Sequence, residues 1–127
     1  MKRILIVDDE RGLRRAMASF LRRCGYETRE ADDGRQAVQR LRAETVDLVL
    51  CDLCMPEMDG IEVILVLRKD WPRVPVVVMS GGGQLVDRDL LLDSARTLGA
   101  HEVLAKPFGL DDLEAAVERA LARATAA

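Results

Sequence analysis

Histidine is nearly missing from this sequence of 127 residues: His101 is the only one, and the three cysteines, Cys24, Cys51 and Cys54, do not gather around it. A soft-metal site needs several imidazole and thiolate ligands at suitable spacing, so zinc-type chemistry is excluded. Cys51 and Cys54 form a C-x-x-C spacing, but no second ligand pair accompanies it, and a carboxylate next to Cys51 disfavours a thiolate. An odd cysteine count without an export signal argues against a disulfide framework and makes the reducing cytoplasm the default. Long apolar runs are lacking as well. The run Ile4 to Val7 is followed at once by three acids, too short for a signal peptide, and no span is long enough to cross a membrane. Positive charge is not in excess: Lys+Arg number 19 against Asp+Glu 22, a net charge of -3. The chain as a whole therefore offers no field for binding nucleic acid. The local cluster Arg11, Arg14, Arg15, Arg22 and Arg23 has the spacing of one solvated helix face.

Aromatic residues are scarce at 3%, yet 49% hydrophobic and 32% charged residues make an ordinary globular composition. There is no low-complexity tract, internal repeat or linker. The length suits one domain, residues 1–127, and leaves no room for an appended output domain.

Short, β-rich apolar runs occur at Ile4 to Val7, Leu48 to Cys51, Val76 to Met79 and Val103 to Ala105. Apolar on both faces, they are expected to be buried parallel strands. A polar-flanked segment, Glu27 to Ala31, fits an outer strand. Helical periodicity fills the gaps. Leu13, Ala16, Met17, Phe20, Leu21 and Cys24 form one stripe, ended by Gly25 where a helix C-terminus favours positive φ. Leu110, Leu113, Ala116, Val117, Ala120, Leu121 and Ala124 form another, with acids early and arginines late, as the helix dipole favours. Shorter helices are expected at 34–43, 60–69 and about 87–98. Strict alternation of strand and helix predicts a doubly wound α/β domain with a five-stranded parallel sheet and helices on both faces.

Ligands of open α/β sheets gather at the carboxyl ends of the strands. There the sequence places Asp8, Asp9 and Glu10 after the first strand, Asp52 at the end of the third, Ser80 at the end of the fourth and Lys106-Pro107 after the fifth. Taken singly, each has an ordinary structural explanation, such as a helix cap or a turn. Jointly they describe a site. Carboxylates crowded in a cleft repel unless a cation neutralises them, and oxygen-only ligation suits Mg2+. Lys106 would pair with a carboxylate at rest and with a phosphoryl oxygen later, Ser80 would offer a hydroxyl, and Asp52 is placed as a nucleophile toward phosphorus. His101, near the start of the fifth strand, lies at the opposite end of the sheet and is expected to be structural.

The segments Ile4-Leu5-Ile6-Val7-Asp8-Asp9-Glu10 and Asp52-Leu53-Cys54-Met55-Pro56-Glu57-Met58-Asp59-Gly60, with Ser80 after its strand and Lys106-Pro107-Phe108, closely resemble response-regulator receiver domains over essentially the whole chain. The resemblance implies a flavodoxin-like sheet in the order 2-1-3-4-5 and a cis Lys106-Pro107 bond. It implies Mg2+ bound by Asp8, Asp9, an Asp52 oxygen and the Cys54 carbonyl, Asp52 as phosphoacceptor, and Ser80 and Lys106 as its helpers. It further implies a histidine kinase or histidine phosphotransfer protein as donor and a downstream protein as target, with no direct role for nucleic acid or membrane. Cys54 and Gly82 occupy the positions flanking the phosphoryl group, where small side chains leave room for water or a partner's imidazole. One departure stands out: three residues before the lysine, where the family often has Tyr or Phe, there is Val103. A phosphate-independent binding module of the same shape and a Mg2+-dependent phosphatase are the competing readings. The first runs against the complete set of site residues, and the second lacks an acid two residues after Asp52.

Overall fold

The computed structural model describes residues 1–53, 60–80, 93, 96–97 and 99–126. Strands β1 (Arg3–Val7), β2 (Glu27–Ala31), β3 (Leu48–Asp52), β4 (Val76–Ser80) and β5 (Glu102–Ala105) alternate with helices α1 (Arg11–Arg23), α2 (Gly34–Ala43), α3 (Gly60–Asp70) and α4 (Leu110–Ala126). The sheet runs β2-β1-β3-β4-β5 and every neighbouring pair is parallel, as expected. Residues 93, 96 and 97 are helical, in keeping with a helix at 87–98. The rest of that helix, the glycines at 81–83 and the loop at 54–59 lie outside the described residues.

Parallel strands alternate their side chains between two covered faces, and two cores result. On one, Leu5, Val7, Val49, Cys51, Val76 and Val78 meet Ala37 and Leu41 of α2 and Val63, Ile64 and Leu67 of α3. On the other, Ile4, Ile6, Leu48, Leu50, Val77 and Met79 meet Met17, Ala18 and Leu21 of α1 and Leu113, Ala116, Val117 and Ala120 of α4.

The apolar stripes of the two long helices are rotated slightly from their expected phase. In α1, Ala16 is exposed and Ala18 is buried instead. Arg14 of this helix reaches Glu30 of β2, and Ala18 joins Met17 and Leu21 in the core. In α4, Leu110 at the first position is half exposed, at 49%, because the stripe meets the sheet only from Leu113 onward.

Helix ends follow local chemistry. Gly25 ends α1 at φ +98, a conformation that other residues adopt only with strain. Asp33 caps α2, accepting from the Gln36 N–H at 2.8 Å while the Gln36 side chain takes the Asp32 N–H. Edge strand β2 is blunted by charge. Its Glu27, Arg29 and Glu30 pair with Arg3, Glu44 and Arg14.

Candidate functional site

Each central strand ends at the same edge, and the register fixes how the polar groups meet. Val7 pairs with Cys51, so Asp8 and Asp52 leave β1 and β3 side by side. Asp52 pairs with Met79 and Ser80 with Ala105, which puts Ser80 and Lys106 next in line. Main-chain bonds continue past the ladder: Leu53 N–H donates to the Met79 carbonyl at 2.9 Å and Lys106 N–H to the Ser80 carbonyl at 2.8 Å.

The side chains converge. Lys106 Nζ donates to Asp8 Oδ2 at 2.9 Å and to Asp52 Oδ2 at 3.4 Å. Carboxylate oxygens of Asp8, Asp9 and Asp52 lie within 4.8 Å of one another; Asp8 and Asp52 are buried and Asp9 is exposed. Burial by itself would lower the Lys106 ammonium, but its hydrogen bonds to Asp8 and Asp52 and their charges prevail and hold it above the ordinary lysine value. Asp8 is held further by the Glu10 N–H, which donates to its Oδ1 at 2.9 Å. Ser80 Oγ is fully buried and has no hydrogen-bond partner among the described residues. A buried hydroxyl without a partner is costly, and here it sits at the strand end nearest the charged cluster. A cleft of about 420 Å³, lined by Glu10, Leu13, Lys106, Pro107 and Phe108, opens beside the lysine. The Lys106-Pro107 bond is cis.

The donor set suits a hard divalent cation: oxygen ligands only, two of them buried and one open to solvent. Cys54, assigned a carbonyl ligand by resemblance, lies outside the described residues, as does Gly82. Cys51 is buried in β3, its thiol donating to the Asp52 carbonyl at 3.4 Å. His101 is at the far end of the sheet, where its Nδ1 accepts the Val76 N–H at 3.2 Å and closes the β4–β5 ladder. Val103 is partly buried against the α2–α3 core.

Two contributors escaped the sequence reading. Gly60 opens α3 directly against β3: a Cβ there would stand 2.3 Å from the Asp52 carbonyl oxygen and 2.5 Å from Leu53 Cα. Its place at the end of the Met-Asp-Gly run was the available signal. Arg14 is the other. Its α1 neighbours Arg11, Arg15, Arg22 and Arg23 form the expected exposed face, but Arg14 turns inward to Glu30 and the Asp8 carbonyl. Helical spacing alone could not single it out.

A sequence model of the response regulator receiver domain matches residues 4–118. The chain belongs to this family. Among relatives of this receiver domain, sporulation initiation phosphotransferase F of Bacillus subtilis is 37% identical over 120 residues, covering 94% of each chain. Transcriptional regulatory protein ZraR of Escherichia coli is also 37% identical, over 119 residues. The receiver domain spans only 26% of ZraR and 52% of the response regulator MprA of Mycolicibacterium vanbaalenii. Among solved structures, the receiver domain of NtrX from Brucella abortus superposes with a TM-score of 0.86 at 35% identity, over 94% of this chain and 98% of that one. Two-component signalling is thus the context of the family. Among the described residues, no helix is long and apolar enough to cross a membrane.

Proposed function

We propose that Asp52 is the phosphoacceptor of this receiver domain, taking a phosphoryl group from a phosphohistidine on a histidine kinase or histidine phosphotransfer protein. The observation that carries this reading is the shared grip of Lys106 on Asp8 and Asp52. It brings two buried carboxylates together under one cationic side chain, Asp52 as nucleophile and Asp8 as cation ligand. An Asp52 carboxylate oxygen attacks phosphorus, the P–O bond forms as the P–N bond to the donor imidazole breaks, and the imidazole nitrogen keeps the electron pair.

Lys106 then exchanges its contact with Asp52 for one with a phosphoryl oxygen, and the buried Ser80 hydroxyl, which has no partner among the described residues, acquires an acceptor. Asp8, Asp9 and Asp52 would hold Mg2+, which when bound neutralises charge on the phosphoryl oxygens. The cleft beside Lys106, walled by Leu13 and Phe108, gives a donor protein's side chain an approach. Transfer to Asp52 and its later hydrolysis are the only chemistry assigned, and the phosphorylated state acts by changing a protein-binding surface.

Incubation with a small phosphodonor and Mg2+, followed by intact-mass measurement, tests this. The wild type gains one phosphoryl group and Asp52→Asn gains none. An adduct that survives the substitution rules the assignment out. Equal affinity for a partner with and without a phosphoryl mimic would favour a phosphate-independent module instead.

A further inference from the structure

We propose that Arg14 is a positioning residue for the acidic site: its guanidinium, neutralised by Glu30, grips the main-chain carbonyl of Asp8 and so sets the turn that presents Asp8 and Asp9. The proposal rests on reading that cluster as a divalent-cation site. The β1–β2 ladder stops at the pair Val7 and Ala31. One residue further, the Asp8 N–H still donates to the Ala31 carbonyl at 3.1 Å, but β2 has ended and the Asp8 carbonyl points past it. Arg14 Nη1 donates to that carbonyl at 2.9 Å, while its Nε donates to Glu30 Oε1, also at 2.9 Å.

The Asp8 carbonyl and the Asp9 N–H share one planar peptide unit, so fixing the carbonyl fixes the direction in which Asp9 leaves. Asp9 is the exposed member of the cluster and has no hydrogen bond among those that fasten Asp8. Its placement therefore depends on this peptide. At 11% side-chain exposure Arg14 is withdrawn from solvent, unlike the other four arginines of α1. A guanidinium beside a cation site would repel the cation, and Glu30 offsets that charge.

Mg2+ binding measured by calorimetry on the intact chain separates this role from simple structural support, with melting in chelator reporting the fold. Arg14→Ala should raise the Mg2+ dissociation constant about tenfold, the scale found when the partners of metal ligands are removed. Arg14→Lys, which keeps the charge and a single donor, should give a smaller rise and covers the case in which the alanine variant does not fold. Glu30→Gln leaves the guanidinium uncompensated and should weaken binding most at low salt. In the Arg14→Ala background the Glu30→Gln change should have a smaller effect on Mg2+, because only the loss of Glu30's own charge then remains. A folded Arg14→Ala variant with wild-type affinity, or a Glu30→Gln effect that is undiminished without Arg14, overturns the proposal. Failure of the wild type itself to bind Mg2+ overturns the cation reading beneath it, a different and recognisable result.

Discussion

Lys106 and His101 occupy opposite ends of the sheet and show how one residue's charge state depends on its neighbours. Lys106 is a cationic partner of both Asp8 and Asp52, whose side chains are only 0% and 7% exposed. Removing one member of a buried ion pair strands the other, at a cost of about 3 kcal/mol where some solvent reaches the pair. Lys106→Met should therefore lower the melting temperature at pH 7, and Mg2+ should raise it by more than in the wild type, because the cation then takes over the neutralisation. Equal Mg2+ stabilisation of both proteins in thermal melts would contradict this. His101 must be neutral for Nδ1 to accept the Val76 N–H. Burial, followed by the nearby Arg68 and Arg123, pushes its pKa below the ordinary 6.5 against the weaker pull of Glu102. The unfolded chain consequently takes up this proton first. His101 contributes stability that is intact above pH 6.5 and is lost as pH falls through the folded value. Denaturant melts from pH 7 downward should show that loss beginning just below 6.5, and His101→Gln should flatten that part of the profile.

Elements meet at the site through close backbone approach. Helix α3 begins on Gly60, whose N–H donates to the Leu53 carbonyl at 3.1 Å and whose Cα faces the Asp52 carbonyl. A methyl group there would meet backbone, which cannot rotate away as a flexible side chain can. Gly60→Ala should cost about 1–3 kcal/mol, the range for forced overpacking. It should also slow phosphorylation by a small phosphodonor, because the residue displaced is Asp52 itself. A stable variant with wild-type phosphorylation kinetics would show that α3 can retreat without disturbing β3. Helix α1 contributes differently. Its outer arginines face solvent, while Arg14 joins the end of β1 to edge strand β2.

The whole molecule is two apolar cores separated by a sheet, with its polar groups concentrated at the carboxyl edge. Between those cores, Asp8, Asp52 and Ser80 are the buried polar or charged residues among the described ones. A cluster of carboxylates at the rim of such a core is a local source of repulsion, so a cation that binds only the folded chain should stabilise the entire domain. At a hundred times its dissociation constant, Mg2+ should add about 2.7 kcal/mol to unfolding free energy. Asp9→Asn should greatly reduce this response in urea melts while changing stability in chelator only slightly, since Asp9 is exposed. A persistent Mg2+ response in that variant would move the cation elsewhere.

Local pattern was enough to determine the order of elements, the parallel α/β class and the four strand ends that carry acid, hydroxyl and lysine. Apolar runs of three or four residues and helical stripes are properties of neighbouring residues, and the strand ends follow from them. Glu27 to Ala31 was legible as an outer strand for the same reason: a segment without apolar residues on both faces cannot lie at the centre of the sheet. What tertiary structure decided were contacts between residues remote in sequence. The phase of α1, with Ala18 inward and Ala16 outward, depends on the core it packs into. The need for glycine at 60 depends on how closely α3 approaches β3. Arg14 is indistinguishable from Arg15 along the helix until the register of β1 on β2 places Glu30 and the Asp8 carbonyl within its reach. Periodicity tells a side chain which face it is on; only the packed sheet decides what it meets there.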